Sequence, residues 1–199
     1  MQLATETELT LDVMRQIEDG DLLRRALRQE ASTLAALAQQ MAQTLRRRNQ
    51  VVLFGNGGSA ADAQHIAAEL VGRCQMERAP LAAIALTTDT SILTAVANDY
   101  GYEEVFARQV RALVQPGDVV VGISTSGNSP NVIRGIEEAR RLGAVTVAFT
   151  GEGGELRRRC DYVLAVPSRE AARIQEVHIT AGHIVCILAE RILFGGGNG

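Results

Sequence analysis

The chain has 199 residues, 46% hydrophobic and 22% charged, with a formal net charge of −3. That length suits one well-cored domain, and the mild negative charge offers no basic footprint for nucleic acid. All 20 basic residues are arginine, which excludes Schiff-base chemistry through lysine and a P-loop, whose motif ends in Gly-Lys-Ser/Thr.

In chain order, the opening MQLATETELTLDVMRQIEDG carries acids rather than a basic and then apolar leader, so it does not read as a secretory signal. Residues 1–50 read helical. Leu22, Leu23, Leu27, Leu34, Leu37, Met41 and Leu45 recur at helical spacing, and Asn49 breaks the pattern. Such a stripe must be buried on its own domain or on a second subunit. A small core offers little extra surface, which favours the subunit interface.

From residue 51 short apolar runs alternate with helical segments. Strands are expected at 51–54, 81–86, 119–124, 145–149 and 162–166. Helices are expected at 59–73, 90–97 with 103–114, 130–142, 155–159 and 169–193. This alternation implies an α/β three-layer sandwich, a five-stranded parallel sheet covered on both faces, plus the N-terminal helices. One domain, 1–199, is expected, with its α/β core at 51–194. Ligands of such sheets sit beyond the carboxyl ends of the strands. The tail GGGNG reads as a disordered end. No apolar run reaches the roughly 18 residues of a membrane span. Cys74, Cys160 and Cys186 form no C-x-x-C pair, which fits a reducing cytoplasm.

Two loops leave the expected strand ends. The first, in LFGNGGSA, is Gly55-Asn56-Gly57-Gly58-Ser59-Ala60. Its glycines admit close backbone approach to an anion or a polyhydroxyl chain, and Ser59 reads as the cap of the next helix. A dinucleotide fold would also want an acid about 20 residues on. Asp89 lies 34 residues after Gly55, so a nucleotide cofactor is not expected. The second loop is Ser124-Thr125-Ser126-Gly127-Asn128-Ser129-Pro130. Hydroxyls at a strand-to-helix turn form a neutral phosphate cradle without lysine, and Pro130 suits the first helical turn.

Two helices carry acid–base groups. His65 and Glu69 are i and i+4, so they share a face. Gln175 and His183 are eight residues apart and face broadly alike, whereas His178 lies about 140° around the helix from His183. His183 sits in the apolar stretch ITAGHIVCIL, where a structural histidine is its plainer account when taken alone. Together, the residues supply a metal-like set and an acid–base pair.

GNGGSA followed by ISTSGNS resembles the sugar isomerase (SIS) domain, a flavodoxin-like fold that binds phosphosugars. With DAQHIAAEL, TTDTSILTAVANDYGYEEVF, GDVVVGISTSGNSPNVI and RIQEVHITAGHIVC, residues 51–194 resemble the bacterial phosphoheptose isomerases. The resemblance implies an aldose–ketose isomerase that converts sedoheptulose 7-phosphate to D-glycero-D-manno-heptose 7-phosphate through an enediol. That step opens the synthesis of nucleotide-activated heptose. The resemblance makes Glu69 and His183 the acid–base pair, and His65, Glu69, Gln175 and His183 the ligands of a zinc ion held by some members. It places substrate contacts on Asn56, Gly57, Gly58, Glu69, Asn98, Asp99, Ser124, Thr125, Ser126, Ser129 and Gln175, with Ser59 and the 124–129 loop taking the phosphate. It implies a cytoplasmic homotetramer with sites between subunits, and neither nucleic acid nor membrane as a partner. Some members carry an Asp three residues before the ligand Gln; Ala172 stands there in this chain. The alternative within the family is a non-catalytic relative that associates with the replication initiator. That relative lacks the carboxylate and histidine found here at 69 and 183.

Overall fold

The computed structural model describes residues 5–195, so residues 196–199 of the GGGNG tail lie outside the described residues. Helices α1 (Glu6–Ala26) and α2 (Ala31–Arg46) are joined by a 3-10 turn at Leu27–Glu30. The N-terminal stripe is therefore carried by two helices rather than one. Thr5 caps α1 through a capping box with Glu8. Next come β1 (Val51–Gly55), α3 (Gly58–Val71), β2 (Ala83–Ala85), α4 (Thr90–Tyr100), α5 (Val105–Leu113), β3 (Val119–Ser124), α6 (Pro130–Arg141), β4 (Val145–Thr150), β5 (Tyr162–Ala165) and α7 (Ala171–Phe194). The expected helix at 155–159 is a 3-10 turn, Glu155–Arg158.

The sheet order is β2-β1-β3-β4-β5, and every pairing is parallel. Strand residues alternate between two cores, as period 2 requires. Val51, Leu53, Val121 and Phe149 pack with α2, α3 and α7. Val52, Phe54, Val120 and Ala148 pack with α5 and α6, where Phe54 stacks on Phe106 at 4.9 Å between ring centroids. The three-layer sandwich expected from the sequence is the observed one. Strand β2 is shorter than 81–86 because it lies at the sheet edge and pairs only with β1.

This order reverses direction between β1 and β3, which makes their carboxyl ends the switch point. Gly55 is in register with Ile123, so the glycine loop and the hydroxyl loop leave the sheet side by side. Helix α7 is long and apolar enough over 18 residues to cross a membrane, although no uninterrupted apolar run suggested it. A windowed mean tolerates the His, Thr and Glu residues that break such a run. Here α7 is a core helix, with Ile174, Val177, Ala181, Val185 and Cys186 buried in the core that holds α2 and α3. Helix α1 buries only Gly20 and leaves Leu9, Leu11, Val13, Met14 and Ile17 more than half exposed.

Candidate active site

Gly57, with φ 55°, precedes α3. Only glycine adopts that conformation freely, so the helix starts at Gly58 rather than after Ser59. Ser59 is therefore not the cap; it lies inside the first turn and is buried. No side chain caps either α3 or α6. In the first turn of α6 the Val132 N–H donates to the Asn131 side chain at 3.0 Å, and in that of α3 the Ser59 and Ala60 N–H groups donate to the Asn56 and Gly57 carbonyls. Both helix starts still point their positive dipole ends at the switch point, which favours an anion. Pro130 opens α6, as expected.

The hydroxyl loop is pre-ordered. Ser124 and Ser129 share a 2.9 Å hydrogen bond, Ser126 lies 3.5 Å from Ser124, and the Asn128 N–H donates to the Ser126 hydroxyl. The Gly151 N–H donates to the Thr125 carbonyl at 3.0 Å. The two loops are tied together by side chains. Asn56 and Asn131 exchange amide hydrogen bonds of 2.9 and 2.8 Å, and the Tyr102 hydroxyl donates to Asn56 at 3.2 Å. Asn131 and Tyr102 escaped the sequence reading. The signal for Asn131 was its place one residue after the Ser-rich turn; Tyr102 left none, because only folding brings it to Asn56. Beside the hydroxyl loop opens a cleft of about 490 Å³ lined by Thr125, Ser126, Asn128, Gly153 and Arg169.

Asn98 and Asp99 lie at the end of α4, where the Asn98 amide donates to the Asp99 carboxylate at 2.8 Å. Helix α4 has no buried residue, and these two make no hydrogen bond to either loop among the described residues. Asp89 is the N-cap of α4 and accepts from the Ile92 N–H at 2.9 Å, a local structural role.

Helices α3 and α7 carry the acid–base groups together. His65 Nε2 lies 2.9 Å from His183 Nε2 and 3.2 Å from Glu69 Oε1, and His183 Nε2 is 4.0 Å from that same oxygen. The rings meet edge to face. Side-chain exposures are 49% for His65, 23% for Glu69 and 40% for His183. His183 is therefore not a core histidine. That place belongs to His178, which is fully buried with Nε2 3.2 Å from the Thr150 carbonyl.

Two imidazole Nε2 atoms at hydrogen-bond distance require one donor and one acceptor, and Glu69 competes for the same proton. With both rings protonated on Nδ1 instead, three lone pairs converge on one point, and all three donor atoms lie within 4.8 Å of one another. Tetrahedral ligands about 2.0–2.2 Å from a metal are separated by roughly 3.3–3.6 Å, and the observed 2.9, 3.2 and 4.0 Å bracket that range, so small side-chain adjustments would let the set hold a metal ion. Gln175, on α7, also faces α3. A Cβ on Gly58 would lie 2.5 Å from its amide nitrogen, so its amide rests at the opening of α3, about two turns before His65. Ala172 leaves the start of α7 without an acid at that position.

The SIS domain family model matches residues 18–151. The phosphoheptose isomerase of Nitratidesulfovibrio vulgaris is 56% identical over 178 residues, covering 89% of this chain and 86% of the relative. That of Aquifex aeolicus is 60% identical over 164 residues, covering 82% and 86%. The solved phosphoheptose isomerase of Neisseria gonorrhoeae superposes with a TM-score of 0.86 at 42% identity, covering 92% of this chain and 98% of that one. Fold, loops and extended similarity agree, and the chain belongs to the phosphoheptose isomerases of the SIS-domain family.

Proposed function

We propose that this chain converts sedoheptulose 7-phosphate to D-glycero-D-manno-heptose 7-phosphate, and that Glu69 and His183 carry the proton transfers. The observation that carries the residue assignment is the convergence of Glu69 and His183, 4.0 Å apart, on neighbouring parallel helices. The reaction needs little more. Glu69 takes a proton from C1 of the ketose while a proton is delivered to the C2 oxygen, giving the enediol. Glu69 then returns its proton to C2, and the O1 proton leaves as the aldehyde forms. A histidine within reach of both oxygens serves as the shuttle. The uncapped starts of α3 and α6 and the Ser124–Ser129 loop receive the phosphate, with Ser59, Asn56, Gly57 and Gly58 beside it. Gly58 precedes His65 by about 10 Å along α3, a span of the order of a seven-carbon chain. Asn98 and Asp99 take sugar hydroxyls.

His65, Glu69 and His183, with Gln175 as the fourth ligand by resemblance, would hold one zinc ion per subunit. When bound, zinc holds and polarises the carbonyl and hydroxyl of the sugar. The exposed apolar residues of α1 support a homotetramer with sites between subunits. Three unpaired cysteines support a cytoplasmic setting. The non-catalytic reading finds no favouring observation, since it predicts neither Glu69 nor His183.

Incubation with sedoheptulose 7-phosphate, followed by detection of the aldose, tests the reading. Turnover is expected. Phosphosugar binding without turnover would leave a binding protein in its place.

A further inference from the structure

We infer that Arg78 and Glu190 are positioning residues for Glu69, a role that rests on the catalytic assignment above. Helix α3 ends at Val71, two residues after the carboxylate it carries. Its last carbonyls have no partners within the helix. Arg78 supplies them. One terminal nitrogen, Nη2, donates to the carbonyl of Glu69 itself at 2.8 Å. The other, Nη1, donates to the carbonyls of Leu70 at 2.7 Å and Gly72 at 3.1 Å. The remaining guanidinium nitrogen, Nε, donates to Glu190 Oε1 at 3.0 Å.

Glu190 lies two turns beyond His183 on α7. Its carboxylate also accepts the N–H groups of Cys74, Gln75 and Met76 at 2.8, 2.9 and 3.2 Å. Burial opposes its charge, yet the three amides and Arg78 together hold its pKa below the ordinary carboxylate value. Both side chains are 1% exposed. Every polar group of the knot is therefore satisfied.

A buried ion pair is weak evidence for stability, because desolvation offsets the attraction; setting register is its better attested use. Register is what this site needs. Gly58 meets Gln175, Ile66 meets Gly182, His65 meets His183 and the Cys74 N–H meets Glu190. The two helices run parallel with a near-constant offset of 116 to 118 residues between partners. The first two of these are close steric contacts and the third is half-exposed. The Arg78–Glu190 knot is the buried, many-bonded end of that line, and a one-turn slip there would move Glu69 by about 5 Å relative to His183.

Arg78→Lys tests the assignment, since one ammonium cannot serve the Glu69 and Leu70 carbonyls and Glu190 in the same geometry. The expected result is a kcat lowered about 10- to 100-fold, with KM for the sugar phosphate changed less than about threefold, and zinc affinity weakened about 10- to 100-fold in titration with zinc alone. Glu190→Gln, which keeps size and one acceptor, gives the same readouts where lysine folds poorly. Wild-type kcat and zinc affinity in either folded variant overturn the assignment. If the unmodified protein shows no turnover, the functional reading falls instead, and the zinc titration alone decides this one.

Discussion

His65 and His183 bring their Nε2 atoms within 2.9 Å although 118 residues separate them in the chain. The contact exists because α3 and α7 pack in parallel on the same face of the sheet, and Glu69 Oε1 lies 3.2 Å from the first of these nitrogens. The chemistry assigned to this cluster makes distinct predictions for each of its members.

Glu69→Gln keeps the size of the side chain and removes the base. Its turnover of sedoheptulose 7-phosphate is expected to fall by at least about 10²-fold, with an unchanged melting curve because the carboxylate is not part of the buried core. His183→Asn should behave alike. Steady-state kinetics beside thermal unfolding checks both, and substantial residual activity in the Gln variant would remove Glu69 as the base.

His65 offers a ligand without an assigned proton transfer. His65→Ala is expected to weaken zinc binding by at least about 10²-fold, since two donors remain of the three that converge. Calorimetric titration with zinc measures this. If chelation of the unmodified protein changes neither activity nor unfolding temperature, the metal is not required.

Asn131 ties the two loops through its exchange with Asn56. Asn131→Leu removes both of its hydrogen bonds to the Asn56 amide and leaves only the Tyr102 hydroxyl, at a cost of about 1–3 kcal/mol. The expected effect is a KM for sugar phosphate raised roughly tenfold with a smaller change in kcat, because the loops are proposed to hold the phosphate and not to move protons.

His178 gives a pH dependence. Its pKa is pushed down to about 4 by burial, with the Thr150 carbonyl pulling more weakly the other way. The unfolded histidine titrates near 6.5. Below about 6.5 the unfolded chain binds a proton that the folded chain refuses, so stability present above that pH is lost as pH falls toward about 4. The loss reaches roughly 3 kcal/mol. Denaturant unfolding at pH 7 and pH 4.5 should show this slope, and His178→Gln should flatten it.

Helix α1 exposes Leu9, Val13, Met14 and Ile17. An assembly burying them predicts that Met14→Glu with Ile17→Glu lowers the mass seen by light scattering. Monomeric behaviour of the unmodified protein would count against α1 as an interface.

The sequence by itself determined the layers, because period-2 apolar runs separated by helical segments can be buried on both faces only as a parallel sheet. It also determined the two loops, since glycine and hydroxyl residues after a strand have a local conformational meaning. His65 and Glu69 were legible as a pair because helical geometry alone puts i and i+4 together. Three things needed the tertiary structure. Helical spacing put His178 and His183 on different faces of α7, but only packing decided which face was buried and which met α3. Ser59 took a place that local spacing did not assign, because the positive φ of Gly57 sets where α3 begins. The Asn56–Asn131 exchange and the Arg78–Glu190 knot join residues 75 and 112 positions apart. Such contacts have no signal in spacing, since they depend on which helices share a face of the sheet and in what register.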